Sequence, residues 1–124
     1  MPSVVIDTDI LIHFLRGNEN ARRFLRSVAE EATPCCSIIT VAEIHAGMRQ
    51  SEKKATQELL DSLIILPITR EIAELAGRLK QTTRQMRLQL DDCLIAATAM
   101  VEDATLATGN RRHYPFKSLP LLTP

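Results

Sequence analysis

A chain of 124 residues with 45% hydrophobic and 24% charged residues is long enough to bury one core without disulfides or a structural metal. Fifteen basic and fifteen acidic residues leave no formal net charge, which argues against bulk electrostatic binding of nucleic acid. Aromatics at 3% are too few for stacking platforms, so any contact with RNA must be local. The three cysteines, with Cys35 and Cys36 adjacent, make a poor disulfide framework and read as reduced thiols of a cytoplasmic protein. The short apolar start carries Asp7 and Asp9, so no signal peptide is expected, and no apolar run is long enough to span a membrane.

Residues 3–6 (Ser-Val-Val-Ile) predict a buried strand ending at Asp7. Residues 10–16 read as a short helix closed by Gly17-Asn18, and 19–31 as a second helix with Ala21, Phe24, Leu25 and Val28 on one face. Pro34 punctuates the chain, Cys35 to Ile39 reads as a second strand, and Thr40 opens a helix to about Gln50. A further helix is expected over 52–63, then a strand from Leu63 to Ile68 whose Pro67 suits an edge or a strand end. Thr69 to about Gln85 is helical by its stripe of Ile72, Leu75, Ala76 and Leu79, and 90–102 forms an Ala-rich helix. Ala104 to Thr108 is a fourth strand before the turn signal Gly109-Asn110, and Leu119 to Leu122 offers a last short strand. This alternation predicts a single α/β domain over 1–124: a three-layer α/β/α sandwich on a mainly parallel central sheet of 4–5 strands. Sites in such sheets form beyond the carboxyl ends of the strands.

Three acids are expected at that rim. Asp7 ends a fully apolar strand, although an Asp there also serves as a helix N-cap. Glu43 lies early in the helix after the second strand, and Thr40-Val41-Ala42-Glu43 equally fits a capping box. Asp92 shares a face with Ile95, Ala96 and Ala99 and so heads a buried stripe, whereas Asp91 leans away; either acid could simply favour the helix N-terminus. At ~4 Å and an effective dielectric of ~20, each pair of converging carboxylates costs roughly 4 kcal/mol. A divalent cation removes that cost, and an all-oxygen donor set suits Mg²⁺ or Mn²⁺ and phosphodiester hydrolysis.

Four segments carry a family resemblance: Val4-Val5-Ile6-Asp7-Thr8-Asp9-Ile10-Leu11-Ile12, Ser37-Ile38-Ile39-Thr40-Val41-Ala42-Glu43-Ile44, Asp92-Cys93-Leu94-Ile95-Ala96-Ala97-Thr98-Ala99, and Ala104-Thr105-Leu106-Ala107-Thr108-Gly109-Asn110-Arg111-Arg112-His113-Tyr114. In this order and spacing, over essentially the whole chain, they resemble the PIN domain, in particular the VapC toxins of VapBC toxin–antitoxin pairs. The resemblance implies an Mg²⁺-dependent endoribonuclease, with Mn²⁺ as a substitute, usually a homodimer and inhibited by a VapB-type antitoxin that covers the site. It places the family's first three acids on Asp7, Glu43 and Asp92. A fourth often follows the last motif strand, where this chain has Asn110 and His113; Asn110 can contribute its amide, and a second metal site is in doubt. Thr8 and Asp9 are given supporting roles.

Arg111 and Arg112 follow the fourth strand at the same rim and are candidates for RNA phosphates. Arg78, Lys80, Arg84 and Arg87 read as a solvated face, His13 and His45 as packed or partner-facing residues, and Cys93 as core. Two alternatives stand beside the nuclease. One is a haloacid-dehalogenase-type phosphatase, with Asp7 as nucleophile, Asp9 as acid/base and Thr40 supplying a hydroxyl. The other is a non-catalytic PIN-like module that binds RNA or protein.

Overall fold

The computed structural model describes residues 1–124. Its elements are β1 (Ser3–Ile6), α1 (Thr8–Leu15), α2 (Glu19–Glu31), β2 (Thr33–Ser37), α3 (Ile38–Gly47), α4 (Lys53–Asp61), β3 (Ile64–Leu66), α5 (Arg70–Thr82), α6 (Leu90–Val101), β4 (Thr105–Ala107) and β5 (Leu121–Leu122). Short 3₁₀ turns lie at Gln50–Glu52, Arg84–Met86 and Arg111–His113. The strands form one sheet in the order β3-β2-β1-β4-β5, every pairing parallel, as expected.

Parallel strands buried on both faces need apolar side chains on both, and β1 supplies them. Val4 and Ile6 point into a core shared with Ile10, Leu11, Val28 and Ile44 from α1, α2 and α3. Val5 points the other way, into a core with Ile95, Ala96 and Ala99 of α6. The register sets Val5 beside Cys35 on one side and Leu106 on the other, so each face is continuous across the sheet. The small side chains Ala96, Ala97 and Ala99, all fully buried, let α6 lie close to the sheet and to α5. Leu106 is fully buried in this second core. Leu106→Ala is expected to lower unfolding stability by about 2–5 kcal/mol, read as a shift in urea midpoint with an unchanged slope.

Several boundaries move. α1 begins at Thr8, directly after Asp7, rather than at residue 10. β2 ends at Ser37 and Ile38-Ile39 belong to α3, because the Ser37 hydroxyl caps the Ile39 N–H at 3.1 Å. The capping box on Thr40 therefore does not form: Thr40 is fully buried inside the helix and Glu43 sits in its second turn. β3 is an edge strand that stops before Pro67, as its proline requires. Lys80 donates to the Leu88 carbonyl and helps tie the segment between α5 and α6, so it is not a purely solvated charge. Cys93 is buried core, as expected.

Strand order decides where the site lies. From β1 the chain steps outward to β2 and β3, then crosses back to β4 and β5 on the other side of β1. The direction of winding thus reverses between β1 and β4, and the carboxyl ends of these neighbours flank the crevice of an open parallel sheet.

Candidate active site

Asp7 follows β1 at that crevice and Thr108 follows β4. Asp7 is 5% exposed. Its Oδ1 accepts the Thr8 N–H at 2.8 Å, and its Oδ2 accepts the Thr108 hydroxyl at 2.7 Å. The Thr108 hydroxyl in turn accepts the Asn110 N–H at 3.0 Å, so its orientation is fixed. The two readings of Asp7 are realised together: it is the N-cap of α1 and also the buried acid of the rim. Burial is the main cause that pushes its acid up to about 6; the Thr108 hydrogen bond opposes this and the charge of Asp9 adds to it.

Asp92 faces the same point. Its Oδ1 is 3.4 Å from the Tyr114 hydroxyl, and its Oδ2 is 3.5 Å from Nδ1 of the half-exposed His113. Burial and then Asp91 hold the Asp92 acid above its ordinary value, while His113 pulls it back. Tyr114 is 2% exposed, and the Asp7, Asp92 and Asp9 charges reinforce burial in holding its phenol protonated. The phenol therefore acts as a donor to the acids.

Glu43 reaches the site through hydroxyls. Its Oε1 accepts the Thr8 hydroxyl at 2.6 Å, and Thr8 and Thr40 hydroxyls bond at 3.0 Å. Each hydroxyl has one hydrogen, so Thr8 donates to Glu43 and Thr40 to Thr8. Burial, then a hydrogen bond that the protonated Glu43 donates to the Asp91 carboxylate, push the Glu43 acid up to about 7, and the Asp7 charge adds to this. Asp91 thus does not lean away: α3 packs against α6, and Asp91 in the first turn of α6 lies beside Glu43 in the second turn of α3. Thr8→Val is expected to cost about 1–3 kcal/mol of stability by leaving Glu43 without that donor, while Thr8→Ser recovers most of it, as measured by urea unfolding.

Asp9 closes the group. Its Oδ2 accepts the Gly109 N–H at 3.1 Å and lies 3.4 Å from the Asn110 amide nitrogen, while its Oδ1 is buried without a hydrogen-bond partner. Asn110 is accordingly brought to the site as a bridge between Asp9 and Thr108. Arg111 and Arg112 are exposed and line, with Asn110 and His113, an open polar hollow of about 650 Å³ beside the acids. Of the expected residues, Asp7, Asp92, Glu43, Thr8, Asp9 and Asn110 lie at the crevice, and Thr40, named only for the phosphatase alternative, joins through Thr8; Asp91, Thr108 and Tyr114 join them without having been expected to. As the side chains stand, no three acids close on one cation position. The donor set is nonetheless all oxygen and dense in charge, and the partnerless Asp9 Oδ1 fits it for a hard cation that shares its shell with water.

The profile of the PIN domain family matches residues 4–119. The chain is 40% identical over 114 residues to Ribonuclease VapC10 of Mycobacterium tuberculosis, covering 90% of this chain and 86% of that protein. It is 36% identical over 114 residues to Ribonuclease VapC19 of the same organism, with 90% and 91% covered. Among solved structures, VapBC2 from Rickettsia felis bound to a promoter DNA fragment superposes with a TM-score of 0.84 at 22% identity, covering 98% of both chains. A toxin–antitoxin complex from Klebsiella pneumoniae gives 0.81 at 28%, covering 98% of this chain and 97% of that one. The chain belongs to the PIN-domain family, as a member of its VapC type. That membership sets aside the dehalogenase-type phosphatase with Asp7 as nucleophile.

Proposed function

We propose that this protein is an Mg²⁺-dependent endoribonuclease, the toxin of a VapBC-type pair, which works as a homodimer and is silenced by a VapB-type antitoxin. The observation that carries this reading is the buried Asp7 carboxylate at the β1/β4 crevice of a PIN fold, with Asp9 beside it. Named ribonucleases among the relatives support the activity, and toxin–antitoxin complexes among the structural neighbours support the partner. No helix is long and apolar enough to cross a membrane.

Asp7, Glu43 and Asp92 would hold Mg²⁺, or Mn²⁺ in its place, partly through waters, with Asn110 orienting a water by its amide. The cation supplies Lewis-acid polarisation of the phosphodiester and acidifies water. The chain's own residues prepare for this. Thr8 and Thr108 orient Asp7, Thr8 orients Glu43, and the Tyr114 hydroxyl faces Asp92, so each acid is held at the crevice by a donor of the chain. Arg111 and Arg112, at the rim of the polar hollow, grip flanking phosphates. With no net charge on the chain, this local pair has to do what a basic surface does elsewhere.

Incubating the purified protein with total RNA, with and without Mg²⁺ or Mn²⁺, tests the reading. Cleavage that requires the cation supports it. RNA binding without cleavage at any cation concentration, in a folded protein, would favour the non-catalytic module instead.

A further inference from the structure

The loop after β4 offers Asn110 and His113 where the resemblance leads one to look for an acid, so it brings no carboxylate of its own to the crevice. Helix α1 brings one from the other side. Asp9 accepts hydrogen bonds from Gly109 N–H and from the Asn110 amide, across a sequence separation of about a hundred residues. The approach is close enough that a Cβ on residue 109 would stand 2.6 Å from Asp9 Oδ2, so glycine is what admits the carboxylate. The other oxygen, Oδ1, is buried and has no partner.

A clamp alone does not call for a charge here, since an Asn or Ser at position 9 could accept the Gly109 N–H equally well. The second carboxylate oxygen is also held out of water without a donor, and the hydration it loses is not replaced by any group of the chain. Such a group stabilises the molecule only when a cation sits near it. We propose that Asp9 is the fourth acid of this site, carried on α1 instead of on the loop after β4, pinning that loop through Oδ2 and adding its charge to the cation position. This rests on the divalent-cation reading above. Asp9 is a positioning residue: it acts through the Gly109–Asn110 turn and through the field at Asp7 and Asp92.

Mn²⁺ titration by isothermal calorimetry of the whole protein tests this, with three variants. Asp9→Asn keeps an acceptor for Gly109 N–H and removes the charge; it is expected to weaken Mn²⁺ binding about ten- to a hundred-fold. The double variant Asp9→Asn with Asn110→Asp returns the charge to the adjoining side chain and is expected to recover most of the affinity. Asp7→Asn serves as the control that binding reports this site. Wild-type affinity in Asp9→Asn overturns the proposal while leaving the cation reading intact. Loss of affinity that the double variant does not recover overturns the relocation of the charge. If the wild type takes up no Mn²⁺, the cation reading falls and the proposal falls with it.

Discussion

Asp7→Asn is expected to abolish cation-dependent RNA cleavage, by at least about a hundred-fold, without unfolding the protein. The fold survives because the Asn carbonyl still accepts the Thr8 N–H, and the amide can donate to the Thr108 hydroxyl, whose second lone pair is available. What disappears is a negative charge at the most buried acid of the site. Removing it also lifts repulsion from Asp9, so the metal-free variant should melt no lower than the wild type. Comparing RNA cleavage and thermal unfolding in the two proteins checks both halves. Wild-type cleavage by the variant would sink the assignment of Asp7; a collapsed fold would show that its capping role dominates.

The metal-free protein should be more stable at pH 5 than at pH 8. Asp7 is held up at about 6 and Glu43 at about 7, against ordinary values of 3.8 and 4.5, and Asp92 is raised as well. An acid raised in the folded state holds its proton more tightly folded than unfolded. Its contribution is fully present below its unfolded value and is lost as pH rises through the folded one, here over about pH 4 to 7. Between pH 8 and pH 5 only part of this rise is realised, and Asp7 alone contributes about 1.4 kcal/mol. For a chain of this length that is a melting-temperature difference of roughly 5–10 °C. Saturating Mn²⁺ should reverse the trend, because the cation binds the ionised acids and protons compete with it. Thermal unfolding against pH, with chelator and with Mn²⁺, reads both slopes. A flat chelated profile would show that burial does not hold these acids above their ordinary values.

Much of this was legible in the residues themselves. The limits of α2, 19–31, follow from its apolar spacing between Asn18 and Ala32, and β1 follows from a β-branched run. Asp7 and Asp92 could be singled out because a carboxylate ending a buried strand or heading a buried helix stripe is costly without a partner. The family motifs then gave their order and spacing a meaning, and the whole-chain comparison agrees with it.

Other features depend on contacts that no local pattern encodes. Ile38 and Ile39 have strand-forming side chains, yet one hydroxyl at Ser37 starts the helix before them and moves Glu43 from the first turn to the second. A helical wheel for α6 counts only the face toward the sheet and leaves Asp91 off it; α3, packed alongside α6, brings Glu43 to Asp91. Tyr114 reads as an ordinary aromatic after a basic pair, until the turn Arg111–His113 drops its hydroxyl beside Asp92. The elements and the acids are thus readable from local patterns, because periodicity and the cost of burying charge are local to each segment. Which groups meet at the β1/β4 crevice depends on the assembled fold, because Asp9 with Gly109 and Thr108 with Asp7 are brought together by sheet order across about a hundred residues of chain.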